Sequence, residues 1–350
     1  MNRIMNKQLI TLGTTILFGW ISICGVKAQD MSNAGTYMNH FNELYKPIQK
    51  NMWDYTSSVA KGKKAKKIDK KRQELLLSLS QGERSAARAK DWEGDEALRD
   101  QVVEWLKTSQ IILKEEYGKI MDLEEIAEQS YDNMEAYLLA KEKASEHMQQ
   151  SNTALNMETK RFAVDNNVNL IEEDTKIGKK LERANKVFKY YNEIYLIFFK
   201  AYKQEAYLIE AMTAQDVNAI EQNKNSLLDF AEEGRTKLRA TKTLNNDPSM
   251  KLAADKMMQF YIQEAKVDAQ TILDFYMKKE HFEKVKASFE AKKKSSRTKA
   301  DVDEYNKAIN DYNSAINEYN SKNNELNNKR SQNLDNWNKA VDKYLSKHAA

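Results

Sequence analysis

The chain has 350 residues, of which 31% are charged, with 56 Lys and Arg side chains against 52 Asp and Glu. Its single cysteine, Cys24, excludes a disulfide framework and a site built from several thiolates. Two prolines and ten glycines in the whole chain are typical of long helices with wide solvated faces, and they argue against a fold of short strands and turns.

Residues 1–28 have the pattern of a cleaved signal peptide. Arg3 and Lys7 form a basic start, and an apolar run follows from Leu9 to Val26. The triplet Val26-Lys27-Ala28 fits the small-residue rule for signal-peptidase cleavage. The segment holds three of the 56 basic residues and none of the 52 acidic ones, which leaves 53 basic against 52 in the mature chain. We therefore expect an exported protein of nearly zero net charge, without bulk attraction to nucleic acid.

Two alternatives to simple cleavage before Gln29 stay open. One is a retained membrane anchor, since the apolar run is about the minimum length for a span. The other is a lipoprotein with lipidated Cys24, although Ile23 stands where a lipobox requires a small residue. The expected location is the periplasm, the outer-membrane surface or the extracellular space.

Apolar residues recur at helical spacing along most of the chain after residue 28. This pattern predicts an all-α fold, an elongated bundle of long antiparallel helices in one domain over 29–350. Asp216, Asp247 and the Thr298/Asp301 pair have the positions of helix caps. The predicted helices span 34–60, 65–90, 95–117, 122–163, 176–214, 216–241, 248–291 and 298–347.

The stretch "YYNEIYLIFFKAYKQEAY", residues 190–207, is the most aromatic part of the chain. Its apolar residues cover about 220° of a helix and its longest unbroken apolar run, Tyr195 to Phe199, is far shorter than the roughly 20 residues of a membrane span. A buried central helix is favoured over an aromatic binding cleft. Glu205 lies in the middle of the apolar arc. We expect either a structural ion pair or a ligand-anchoring acid in an interior pocket.

Two basic clusters are predicted at helix junctions. "KGKKAKKIDKKR", residues 61–72, has eight cations and one acid, and "KVKASFEAKKKSSRTK" covers residues 284–299. They are either solvated connections or contacts for anionic polymers and lipid headgroups outside the cytoplasm. The candidate contact residues of the first cluster are Lys61, Lys63, Lys64, Lys66, Lys67, Lys70, Lys71 and Arg72.

The last predicted helix has a seven-residue pattern. One seam position is taken by Val302, Ile309, Ile316 and Asn323, and the other by Tyr305, Tyr312, Tyr319 and Leu326. The pattern then shifts by four residues, which is a stutter that locally unwinds a supercoil. The partner of this coiled-coil seam is either the protein's own bundle or a second chain, so an oligomer is possible.

The sequence has no recognisable catalytic or cofactor motif. It lacks H-E-x-x-H, a P-loop, G-x-G-x-x-G and G-x-S-x-G, and its four histidines have no metal-ligand spacing. We expect no enzymatic activity, no cofactor and no metal. A weaker alternative is a hydrolase built on the carboxylate-rich fourth predicted helix. The acids in and just before that helix are Glu115, Glu116, Asp122, Glu124, Glu125, Glu128, Asp132 and Glu135.

Several blocks of the chain, covering most of its mature part, resemble a family of signal-peptide-bearing, all-helical bacterial surface proteins. The blocks are "NMWDYTSSVA" (51–60), "MDLEEIAEQSYDNMEAYLLAKE" (121–142), "NKVFKYYNEIYLIFFKAYKQEAY" (185–207), "DVNAIEQNKNSLLDFAEEG" (216–234) and "RSQNLDNWNKAVDKYL" (330–345). The resemblance implies secretion and a cell-envelope or surface location. It implies no activity, cofactor or site residue.

These observations together predict an exported, non-enzymatic scaffold or binding protein of the bacterial cell envelope or surface, with an envelope partner that the sequence does not identify. The alternative is a periplasmic carrier that binds an apolar or anionic small ligand in the bundle interior near Glu205.

Overall fold

The computed structural model describes residues 33–116, 126–170 and 175–350, and over these residues the fold is all-α, as the sequence predicts. The predicted signal peptide and Cys24 lie outside them. The α-helices are α1 (Ala34–Ala60), α2 (Ala65–Ala87), α3 (Ala97–Ile111), α4 (Tyr131–Asp165), α5 (Lys176–Ala214), α6 (Val217–Ala240), α7 (Ser249–Gln263), α8 (Ala269–Ala291) and α9 (Lys299–His348). Ile112–Glu116 and Glu264–Asp268 are π-helical turns, and Lys294–Ser296 is a 3₁₀ turn.

The described chain divides into two compact units. Residues up to Asn192, together with Val341–Ala350, form the first unit, and Glu193–Ala340 form the second. The single bundle domain predicted over 29–350 stays a prediction.

Helices α1 to α4 build the first unit around aromatic side chains. Asn33 caps α1, because its side chain accepts a hydrogen bond from the backbone N–H of Thr36 at 2.9 Å. Tyr45 of α1 meets Trp105 of α3 edge-to-face, with ring centroids 5.3 Å apart. The indole N–H of Trp105 donates to Oδ1 of Asn152 in α4 over 2.6 Å, and both residues are buried. This bond satisfies a donor that would otherwise be costly in the interior.

The fourth predicted helix begins later than expected. The sequence places its start near residue 122 and puts Ser130 on the apolar stripe, but α4 begins at Tyr131. Ser130 has extended backbone geometry and its hydroxyl accepts from the N–H of Asn133 at 3.1 Å, so it is the N-cap. The apolar period alone does not distinguish a cap from a core position. Residues 117–125 lie outside the described part of the chain.

The aromatic stretch 190–207 is helical and largely buried, within α5. In the second unit, Phe198 stacks on Trp337 of α9 with ring centroids 4.6 Å apart, and Tyr195 stacks on Phe199. The prediction of a buried helix is confirmed. None of the helices that the structure describes has an apolar stretch long enough to cross a membrane.

The seventh predicted helix, 248–291, is interrupted by the π-turn Glu264–Asp268. A π-turn inserts an extra residue into a helix and is found frequently at functional sites. Here the turn is deeply buried, with Glu264 0% and Asp268 1% exposed. No glycine or proline marks the turn in the sequence, so the periodicity reads as one uninterrupted helix.

Helices α8 and α9 pair through stacked aromatic rings. Phe275, Phe282 and Phe289 recur every seven residues on α8 and meet Tyr305, Tyr312 and Tyr319 of α9. The predicted tyrosine row is therefore an intramolecular contact. The prediction for Val302 is wrong, because it is 39% exposed while Ala308 and Ala315 are buried. Ala308 and Ala315 each follow a tyrosine of this row by three residues, so they lie on the same side of α9 and take the buried positions.

Candidate functional site

The first basic cluster forms the connection between α1 and α2 and continues into the first turns of α2. We call residues 61–72 the basic turn. Gly62 has φ +57°, a left-handed conformation that glycine adopts without strain, and it lets the chain reverse after α1. Lys64 is the N-cap of α2, without a side-chain capping bond, and no acidic residue lies in the first helical turn.

Two of the eight cations in the basic turn are paired with acids. Lys71 Nζ lies 2.7 Å from Glu74 and 3.4 Å from Asp54, and hydrogen bonding to Glu74 raises the pKa of Lys71. Arg72 lies 2.9 Å from Asp69. These two side chains are half-buried and stabilise α2 locally.

The other six cations of the basic turn are exposed and have no ion pair among the described residues. They are Lys61, Lys63, Lys64, Lys66, Lys67 and Lys70. The positive end of the α2 dipole lies beside them, where cations are unfavourable by roughly 0.3–1 kcal/mol each at low ionic strength. The turn therefore concentrates positive charge on a surface where an anion would be stabilised.

The second basic cluster lies at the connection between α8 and α9, in the second unit. Lys284 pairs with Glu280 and Lys292 with Asp301, and Arg297 lies over the ring of Phe289. Its exposed cations without an ion pair among the described residues are Lys286, Lys293, Lys294 and Lys299. Because this cluster is diluted by acids, it is the weaker anion-binding candidate.

The structure places Glu205 in the interior of the second unit, 1% exposed. Its Oε1 accepts a hydrogen bond from Nε of Arg330 in α9 at 2.7 Å. A second guanidinium nitrogen, Nη2, donates to Oε1 of Glu264 in the π-turn, and Nη1 donates to Asn327 at 2.9 Å. One arginine thus joins α5, the π-turn and α9. We call Glu205, Glu264 and Arg330 the buried triad.

A second ion pair lies one turn further along the π-turn. Lys322 Nζ of α9 is 3.2 Å from Oδ1 of Asp268. Tyr261, at the end of α7, is fully buried, and its hydroxyl has no hydrogen-bond partner within the described part of the chain. Burial raises the pKa of Tyr261 well above its usual range, and the charges of Glu205 and Glu264 raise it further.

Burial also dominates the protonation of Glu264. It raises the pKa of Glu264 well above its usual value, the charge of Glu205 adds to the effect, and the guanidinium of Arg330 opposes it. Burial alone would lower the pKa of Arg330, but the charges of Glu264 and Glu205 outweigh burial and raise it. The arginine therefore remains a cation. Its single positive charge balances the negative charge of one carboxylate.

Sequence reasoning found one member of the triad and missed the other two. The signal for Arg330 is present, because Leu326, Arg330, Leu334 and Trp337 follow one another at helical spacing across the stutter. A cation within an apolar stripe is the counterpart of the anion in α5. Glu264 had no comparable signal, because the π-turn changes which residues of the segment point inward.

The acid-rich segment proposed for a hydrolase is only partly described. Residues 117–125 and the side chains of Glu115 and Glu116 lie outside the described part, and that hypothesis stays untested. Across residues 33–116, 126–170 and 175–350, no group of three or more His, Cys, Asp or Glu side chains is arranged to hold a metal ion.

Comparison of the chain with protein-family models, with curated proteins and with solved structures found no match.

Proposed function

We propose that the protein is an exported, non-enzymatic helical scaffold or binding protein of the bacterial cell envelope or surface, and that the basic turn is its docking surface for an anionic partner. The single observation that supports this most is the set of six exposed lysines without an ion pair among the described residues, in a chain whose basic and acidic residues are nearly balanced. The signal-peptide pattern and the resemblance to bacterial surface proteins support the location.

The chemistry of the basic turn favours a repeated anionic surface over one small ligand. Exposed lysine ammonium groups are strongly hydrated point charges on flexible stems, and they suit many closely spaced phosphate or carboxylate groups. Such contacts are screened over roughly 8 Å at 0.15 M salt. Binding should therefore be weak, reversible and strongly dependent on salt.

The experiment compares cosedimentation of the protein with vesicles that contain anionic phospholipid and with vesicles of zwitterionic lipid. Reversing the charge of Lys63, Lys64, Lys66 and Lys67 to Glu should abolish binding to the anionic vesicles at low salt. The matched control reverses Lys46, Lys186, Lys237 and Lys266, exposed lysines outside both basic clusters that each pair with a carboxylate.

The results distinguish a lipid surface from an envelope polymer as the anionic partner, and they test whether the basic turn is the docking surface. Direct binding to a soluble polyanion without binding to the vesicles would assign the surface to an envelope polymer. If the reversal at the basic turn and the control reversal weaken binding equally, net charge alone drives association and the proposed docking surface is wrong.

The carrier alternative requires a ligand to displace Arg330 from Glu205, because the guanidinium already occupies that carboxylate. No specific contact favours this alternative, and it stays a prediction.

A further inference from the structure

The interior of the second unit has an uneven charge balance around the π-turn. Three buried carboxyl groups, those of Glu205, Glu264 and Asp268, face only two cations, Arg330 and Lys322. An uncompensated carboxylate in the interior is strongly destabilising. The addition of one proton to the three carboxyl groups would balance the charges.

The contacts indicate which carboxyl group holds that proton. Asp268 lies 3.2 Å from Lys322, which also contacts the exposed Glu325 at 3.3 Å, whereas Glu205 and Glu264 share Arg330. Among the described residues, Oε2 of Glu264 is buried without a hydrogen-bond partner, and so are both oxygens of Asp268, whose charge is met by the ion pair with Lys322. A buried carboxylate oxygen that accepts no hydrogen bond costs free energy. The cost is removed when that oxygen carries the proton of a neutral carboxyl group.

We propose that Glu205 and Glu264 form a buried proton-binding site, in which Glu264 is protonated near neutral pH and hydrogen-bonds to the Glu205 carboxylate while Arg330 contacts both. Both carboxyl groups are buried and both contact the guanidinium of Arg330, so they share one site. Two carboxyl groups that share a site cannot both ionise at low cost. The site therefore holds one proton near neutral pH.

Electrostatics supports the assignment of the proton to Glu264. Burial and the neighbouring charge of Glu205 act in the same direction on Glu264, and both hold its pKa well above the usual value. The groups around the pair come from each neighbouring element. They are Tyr202 on α5, Tyr261 on α7, Asp268 on the π-turn, and Lys322 and Arg330 on α9, while the Lys266–Glu232 pair between the π-turn and α6 is exposed.

The proton links folding to pH with a definite sign. The usual pKa of Glu264 is 4.5 and its folded value is higher, so the folded chain keeps a proton that the unfolded chain releases. The contribution of this proton to the free energy of unfolding is fully present below about pH 4.5, and it is lost as the pH rises through the folded pKa of Glu264. Deprotonation leaves two carboxylates competing for one guanidinium and loosens the junction of α5, the π-turn and α9.

The direct test is infrared spectroscopy of the protonated carboxyl C=O stretch in the folded protein at pH 7. We expect one protonated-carboxyl band in the unmodified protein, lost in Glu264→Gln and retained in Glu232→Gln. Glu232 is the matched control because it is exposed and paired with Lys266. The unmodified protein alone is decisive if Glu264→Gln does not fold. Absence of the band at pH 7 would overturn the proposal.

A second measurement follows the midpoint of urea unfolding between pH 4.5 and 8. Relative to Glu264→Gln, the midpoint of the unmodified protein should fall as the pH rises, and Glu232→Gln should follow the unmodified protein. Parallel curves for the unmodified protein and Glu264→Gln would show that Glu264 binds no extra proton in the folded state.

Discussion

Arg330 donates its Nε hydrogen to Oε1 of Glu205 over 2.7 Å, although the two residues are 125 positions apart in the chain. The pair fixes the register of α9 against α5 within the second unit, because a shift of either helix would leave a charge buried without its partner. Whether such a pair adds net stability depends on the desolvation it costs, but the removal of one partner is reliably destabilising.

Removal of Arg330 should therefore be more damaging than neutralisation of Glu205. We expect Arg330→Met to lower the free energy of unfolding by about 3–5 kcal/mol, because Glu205 is then stranded as a buried anion. Glu205→Gln should cost less, since Gln can still accept from Arg330 and Arg330 keeps its contact with Glu264. Urea unfolding of both variants provides the comparison. Equal losses would contradict the argument that a stranded buried carboxylate costs more than a neutralised one.

Loss of the Trp105–Asn152 hydrogen bond should destabilise the first unit. Asn152→Ala leaves the indole N–H of Trp105 buried without that acceptor, and we expect a loss of about 1–3 kcal/mol in the free energy of unfolding. Gln150→Ala, at an exposed position of the same helix, should change stability by less than about 0.5 kcal/mol. If Asn152→Ala leaves the free energy of unfolding unchanged, solvent reaches the indole N–H and the contact is loosely packed.

Truncation of a ring in the α8–α9 contact tests whether α9 packs on its own chain in solution. Tyr312 stacks on Phe282 at 5.1 Å and on Phe275 at 5.9 Å. Each ring pair contributes about 0.5–1.5 kcal/mol beyond its buried area, so Tyr312→Ala should cost about 1–3 kcal/mol. The exposed neighbour Asn313→Ala is the control.

Light scattering of Tyr312→Ala distinguishes the intramolecular contact from an assembly role. An unchanged melting temperature together with the loss of an oligomer would identify α9 as an assembly helix. Lower thermal stability at an unchanged molar mass is the expected result.

The start of α9 should respond to acid through its capping box. The N–H of Thr298 donates to Oδ2 of Asp301 at 2.8 Å, and the N–H of Asp301 donates to Oγ1 of Thr298 at 3.2 Å. The ammonium group of Lys292, and then the bonds from Thr298, lower the pKa of Asp301 from 3.8 to about 2. Because the folded pKa is depressed, this stabilisation is present above about pH 3.8 and is lost as the pH falls through about 2.

Circular dichroism between pH 2 and 5 measures this effect. Asp301→Asn should weaken the pH dependence of helix content in that range, and Asp303→Asn, on an exposed position one turn away from the cap, should not. The same pH dependence in both variants would rule out the capping box as its source.

Helix ends were predictable where the signal is local. Helices α1 and α5 begin and end at the predicted residues, 34–60 and 176–214. The signals for these ends are local, because the apolar period lies within each segment and polar residues flank it directly. The caps at Asp216 and at the Thr298/Asp301 pair are confirmed for the same reason. A cap depends on side-chain chemistry within four residues, which the sequence states directly.

The sequence by itself determined the all-α class, the helical elements, the position of the basic turn and an acid on the apolar face of α5. The tertiary structure alone decided which cation meets Glu205, that Glu264 joins the same arginine, and that alanines rather than Val302 line the face of α9 against α8. The physical reason is distance along the chain. Helix formation depends on neighbours three or four residues away. The partner of a buried charge, by contrast, depends on how three separate helical segments pack. A π-turn also changes which residues face inward, and nothing in the sequence marks it.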